Sequence, residues 1–187
     1  GMTRVGFPSV GSWVTYGLGS PNKNMPGFVV MYDYRGGPIN GPQNWGGGFL
    51  SAAYQATPVR SKGSPILDLR RPQDMSLSEQ RAQLDLMRSL NERHAESRPA
   101  EPDLQARIES FELAFRMQTE APGLLDLATE SEETKRLYGI EQGKKTSYFG
   151  TQCLMARRMV ESGVRFVQLY SGGAHGDANW DAHGSVT

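Results

Sequence analysis

The sequence predicts an α/β fold, a parallel or mixed sheet flanked by helices. Three observations lead there. Val164, Phe166, Val167, Leu169 and Tyr170 form a short β-branched and aromatic run that begins directly after a helical pattern and a glycine, which reads as one αβ unit with a buried strand. Phe28 to Tyr32 is a second such run, opened by Pro26-Gly27 and closed by Asp33. Between the two lie long segments with helical periodicity and recognisable start signals.

Taken in order, residues 1–65 hold more than half of the 22 glycines. That spacing interrupts any long periodic element, so apart from the strand at 28–32 the region reads as ordered loop. Trp13, Val14, Tyr16 and Leu18 suit one short helical turn or strand. From Ser76 the composition changes. Ser76 and Glu79 have the spacing of a capping box, and Leu77, Leu84, Met87 and Leu90 then fall near one helical face up to about His94. A second helix starts near Pro102, a good first-turn residue. Its stripe of Leu104, Ile108, Phe111 and Phe115 runs to a stop at Pro122-Gly123. The two helices, spanning about 76–119, are expected to pair as an antiparallel hairpin whose apolar stripes belong to the core. Thr129 and Glu132 have the spacing of another capping box, opening a short helix that ends at Gly139. A last helix runs from about Ser147 to Glu161, with Gly163 as its stop.

Composition excludes several classes of function. The 187 residues carry 20 basic and 20 acidic side chains, whereas general nucleic-acid binding needs a basic surface. No apolar run is long enough to cross a membrane. A single cysteine, Cys153, forbids an intrachain disulfide and a zinc site made of several thiolates.

The chemistry concentrates after the last strand. Ser171, Gly172 and Gly173 end it, and His175, Asp177, Asn179, Trp180, Asp181 and His183 follow within nine residues. In extended backbone, residues two apart point the same way, so an extended segment would set His175 and Asp177 on one side, and likewise Asp181 and His183. Imidazole plus carboxylate is a normal ligand set for zinc or another divalent metal. Asp, Asn and Gly are also ordinary turn residues. Asp181 and His183 are the first candidate ligands, His175 and Asp177 the next, with Trp180 packing the segment in place. Arg165, at the strand start, is a weaker candidate for an anionic substrate.

Cys153-Leu154-Met155-Ala156-Arg157 approximates the sulfatase signature in which Cys, Pro and Arg alternate and the cysteine is oxidised to formylglycine. Met155 stands where proline is required. A cysteine on the apolar face of a helix, beside Leu154 and Val160, is expected to act as a small buried hydrophobe instead.

Several stretches together resemble a known family. They are FPSVGSWVTYGLG from Phe7 to Gly19, NMPGFVV from Asn24 to Val30, ELAFRMQ from Glu112 to Gln118, RFVQLY from Arg165 to Tyr170 and NWDAHG from Asn179 to Gly184. The chain resembles uncharacterised, sulfatase-like bacterial proteins of the alkaline-phosphatase superfamily, many exported by the twin-arginine route. The resemblance covers nearly the whole chain, and Pro-Ser-x-Gly-Ser-Trp and Trp-Asp-Ala-His are its most specific motifs. It implies an alkaline-phosphatase-like α/β domain, a metal-assisted hydrolase of small anionic sulfate or phosphate esters using zinc, manganese or calcium, and a periplasmic or secreted location. The resemblance also implies a longer protein, with an upstream segment expected to carry the first strand and any nucleophile and a downstream segment with further acidic and histidine motifs. The expectation is therefore a central, partial domain that binds metal weakly and turns over aryl esters no faster than background. The alternative is a non-catalytic scaffold or binding domain retaining the fold.

Overall fold

The computed structural model describes residues 6–33, 36–67, 69–96, 102–141 and 146–172. Its centre is a three-stranded parallel sheet, β1 (Phe28–Met31), β2 (Thr57–Pro58) and β3 (Phe166–Leu169), in the order β2-β1-β3. β1 pairs with β3 as Phe28↔Phe166 through Met31↔Leu169, and with β2 as Val29↔Thr57 and Val30↔Pro58. The expected α/β class is therefore observed, and all the described pairings are parallel. β1 is completely buried, as a run without polar alternation requires. β3, read from the sequence as buried, is half-buried along its length, because among the described residues it pairs on one side only.

Alternation along β1 divides the core into two layers. Val29 and Met31 point to one face and pack with Met117, Ala121, Leu125, Met155 and Met159 from the two long helices α3 (Pro102–Leu125) and α5 (Ser147–Glu161). Phe28 and Val30 point to the other and pack with Trp45 and Ala56. The helix α1 (Val10–Leu18) lies over that second face. A side chain at Gly11 would put its Cβ 2.4 Å from the Phe28 ring, so the glycine permits this close approach. What read as a helical turn or strand near Trp13 is thus a nine-residue helix, N-capped by the Ser9 hydroxyl.

The α2 helix (Leu77–Glu96) starts at the capping box read from the sequence: the Ser76 N–H donates to Glu79 Oε2 at 2.7 Å, and the Glu79 N–H donates to Ser76 Oγ at 3.2 Å. Its apolar stripe is not core. Leu77, Met87 and Leu90 are exposed, and every α2 residue is at least partly exposed. The side facing α3 carries Arg81 and Arg88, both ion-paired to the buried Glu112. Charge thus takes the inner position that periodicity gave to leucine and methionine.

Two helix boundaries also differ from the sequence reading. α3 continues past Pro122-Gly123 to Leu125. Ala121 and Leu125 are buried in the core, and the Arg158 guanidinium donates to the Gly123 and Leu124 carbonyls at 3.0 and 2.7 Å, satisfying end groups that the helix leaves open. The short helix α4 (Glu132–Leu137) is capped by Ser131, which accepts from the Thr134 N–H at 3.1 Å, rather than by Thr129. Thr129 belongs instead to the preceding 3-10 turn, Leu127–Thr129, capped by Asp126. α5 ends as expected: Gly163 has φ +94°, its N–H reaches Val160 O and the Val164 N–H reaches Met159 O. This is a glycine-dependent closure that turns the chain into β3.

Candidate functional site

In parallel sheets, binding sites gather at the carboxyl ends of the strands. The described residues at that edge include Tyr32 and Asp33 after β1, Val59 and Arg60 after β2, and Tyr170 and Ser171 after β3. The β1–β3 register ends at Met31↔Leu169, and the Tyr170 N–H still donates to Met31 O at 2.9 Å. Asp33 and Ser171 each lie two residues past the end of that register, at the same edge of the sheet. Asp33 is only 3% exposed, an environment that a carboxylate tolerates when neighbouring groups compensate its charge.

The backbone here is held rigidly. Tyr32 O accepts from the Tyr148 hydroxyl at 2.9 Å and from Gln152 Nε2 at 3.1 Å, both on α5. Tyr32 stacks on Trp45, with ring centroids 5.5 Å apart and an interplanar angle of 16°, and Trp45 meets Tyr170 at 5.9 Å. Gln168 Nε2 donates to the Tyr170 hydroxyl. Burial pushes the Tyr170 phenol above its usual value, so it is neutral at physiological pH.

Gln152 is fully buried, and its orientation is determined by chemistry. A carbonyl at Tyr32 needs a donor, so the amide nitrogen faces it and Oε1 points elsewhere. Oε1 is buried and has no hydrogen-bond partner among the described residues. An orphaned acceptor of this kind costs roughly 1–3 kcal/mol unless a cation or donor completes it. Carboxylate and amide carbonyl oxygens, the kinds Asp33 and Gln152 carry, are types that a hard divalent ion accepts. Among the described residues no three His, Cys, Asp or Glu side chains group as a metal site.

The expected ligands Asp181, His183, His175 and Asp177, with Trp180, lie outside the described residues. They follow Ser171 and Gly172 directly in the chain. Asp33 was read from the sequence only as the end of a strand. A polar residue directly after a buried parallel strand was its available signal. Gln152 had a signal too, as a polar residue on the stripe formed with Tyr148, Met155 and Met159. Arg165 stands at the opposite, N-terminal end of β3 and donates to Gly19 O at 3.2 Å, so the described geometry gives it no part at this edge. His94 is exposed in the last turn of α2. A cleft of about 990 Å³ between Asn22, Lys23, Met25, Glu109, Leu113 and Arg116 lies near the start of β1, away from this edge.

Cys153 lies within α5, as expected, but is half-buried, and Val160 beside it is exposed. Burial raises its thiol pKa, which disfavours the reactive thiolate. Peptide mass spectrometry is expected to find unmodified cysteine at this position. Formylglycine there would overturn the structural assignment.

No curated protein and no solved structure matches this chain. The family model described as protein of unknown function (DUF1501) matches residues 1–187. The chain therefore belongs to DUF1501, a family of unknown function.

Proposed function

We propose that the chain carries the metal-binding edge of an alkaline-phosphatase-like hydrolase acting on small sulfate or phosphate esters. Asp181 and His183 are the leading ligands, His175 and Asp177 the next, and Asp33 is a carboxylate contributed by the sheet. The observation that carries this reading is the buried Asp33, two residues past the central parallel strand and at the same sheet edge as Ser171, from which the Asp/His-rich segment follows. The orphaned Gln152 oxygen adds an acceptor of the right chemistry. A bound zinc, manganese or calcium ion would polarise the ester oxygen and stabilise charge developing on it. The protein's own groups hold the ion and orient the anion, while the Trp45–Tyr32 stack and the Tyr148 and Gln152 hydrogen bonds keep the strand end rigid. Export to the periplasm or cell exterior is proposed on the family resemblance.

The test is calorimetry with zinc, manganese and calcium on the chain and on Asp181→Ala, followed by inorganic phosphate and sulfate in the presence of metal. Weak metal binding is expected, reduced about tenfold or more by the substitution, with anion binding that requires metal. Turnover of aryl phosphates and sulfates by this chain is expected to stay at background. The absence of metal binding, or binding indifferent to Asp181→Ala, would favour a non-catalytic scaffold. Robust turnover abolished by Asp181→Ala would instead establish a complete catalytic site.

A further inference from the structure

The α1 helix is inside out. Its small residues Gly11, Ser12 and Thr15 are buried against the sheet, where the Ser12 hydroxyl donates to Gly46 O at 3.0 Å and the Thr15 hydroxyl to Gly11 O. Its large residues Val10, Trp13 and Tyr16 face outward and are exposed. An ordinary surface helix has the reverse pattern. The outward rings continue into the neighbouring loops as an interlocked chain. Phe7 meets Phe49 edge-on at 6.3 Å, Phe49 meets Trp13 at 5.7 Å, Trp13 meets Tyr16 at 6.0 Å, and Tyr16 meets Tyr54 at 5.3 Å. Gly17 lies on the same side, and a Cβ there would meet nothing within 4 Å, leaving room for another backbone to approach.

The segments that build this face are free of charge. Neither 6–19 nor 36–59 contains Asp, Glu, Lys, Arg or His, although 21% of the chain is Asp, Glu, Lys or Arg. A strongly charged partner would lose hydration here without a counter-charge. Nucleic acid and anionic lipid both require basic groups. A twofold axis, by contrast, sets each part of a surface against its own copy, so an uncharged, aromatic face can pair with itself without like-charge opposition. The area is marginal, at the low end of specific interfaces. At about 200 Å² per aromatic side chain, the exposed fractions of Phe7, Trp13, Tyr16 and Phe49 offer on the order of 450 Å² per copy. Two copies would bury roughly 900 Å², near the lower bound of about 1,000 Å² for a specific interface, and Val10 extends it. Trp and Tyr are also the residues that most often dominate such contacts.

We propose that α1 and the Phe7, Phe49 and Tyr54 rings form a docking face for a second copy of this chain, paired about a twofold axis centred near Trp13. The dimer is of moderate strength, with dissociation in the micromolar range.

Sedimentation velocity of the 187-residue chain at rising concentration tests this directly. A reversible monomer–dimer equilibrium is expected. Trp13→Lys and, separately, Tyr16→Lys are expected to weaken it on the order of a thousandfold, because the symmetry counts each substitution twice. Trp13→Phe should retain most of the dimer. Circular dichroism should show both lysine variants folded, since neither replaced side chain is buried. A second variant keeps the test decisive if one fails to fold. A monomer at every concentration, or a dimer that survives both lysine variants, would overturn the proposal. So would a monomer that binds neutral phosphatidylcholine vesicles through these rings.

Discussion

Glu112→Ala is expected to loosen α2 from the rest of the molecule and to cost about 2–3 kcal/mol. Glu112 is 9% exposed on α3. Arg81 grips it with two hydrogen bonds, Nη1 to Oε2 at 3.0 Å and Nη2 to Oε1 at 2.6 Å. Arg88 adds an ion pair at 2.9 Å, and the Arg81 guanidinium lies 5.1 Å from the Phe115 ring centroid. Alanine would take this acceptor from Arg88 and leave Arg81 its exposed i,i+4 pair with Asp85, and α2 has no deeply buried side chain to compensate. Both arginines reach water, which keeps the loss below that of a fully buried pair. Urea unfolding should show the loss, and native-state hydrogen exchange should show α2 amides losing protection first.

The same contact sets a pH dependence. The Arg81 hydrogen bonds hold the Glu112 carboxyl below its ordinary value near 4.5. A carboxylate lowered on folding contributes stability that is fully present above the unfolded value and lost as pH falls through the folded one. Protection of α2 should therefore decline on acidification below about pH 4.5, and Glu112→Gln should remove that part of the slope. Unchanged α2 protection in Glu112→Ala would show that other contacts hold the helix.

Gly150→Ala is expected to destabilise the chain by about 2–3 kcal/mol, against the direction of helix propensity. In an open helical position this exchange stabilises by up to about 1 kcal/mol. At Gly150, however, the new Cβ would stand 2.0 Å from the Tyr138 carbonyl oxygen and 3.3 Å from Ile140 Cγ1. That carbonyl cannot swing away freely. The Tyr138 N–H is bonded to Thr134 O at the end of α4, and the Ile140 N–H to Lys135 O at 2.8 Å. One of the two helices must move, and α5 carries Gln152, Met155 and Met159 into the core and the candidate site. The melting temperature should fall by roughly 4–10 °C. Gly123→Ala serves as the control: nothing lies within 4 Å of its Cβ, so a small gain is expected. A stabilised Gly150→Ala would mean that the α4–α5 contact is loose.

What was readable in the sequence is what short-range physics determines. The Ser76–Glu79 box spans three residues, and the Gly163 closure spans five. The runs at 28–32 and 164–170 announce strands through composition, because β-branched and aromatic side chains suit a pleated, buried surface. The motifs that resemble a family are likewise contiguous. Contacts between distant residues were not readable in this way. Periodicity identified a stripe of Leu77, Met87 and Leu90 on α2, but it cannot say which face meets α3. Arg81 and Glu112, separated by 31 positions, decided that.

The candidate site divides along the same line. The Asp/His-rich segment after Ser171 was visible as local composition, and its four expected ligands lie outside the described residues. Asp33 gained meaning only when the parallel pairing of β1 with β3 brought it to the same sheet edge as Ser171, and Gln152 only when Tyr32, 120 positions earlier, took its amide nitrogen and left its oxygen without a partner among the described residues. The sequence by itself determined the α/β class and two helix starts and stops, and it displayed the Asp/His-rich segment as local composition. Tertiary structure alone decided which strand is central, that α1 turns its rings outward, and that a buried carboxylate stands at the sheet's carboxyl edge. The reason is physical: capping and β-propensity act through neighbours a few residues apart, whereas burial and register depend on groups that only the folded chain brings together.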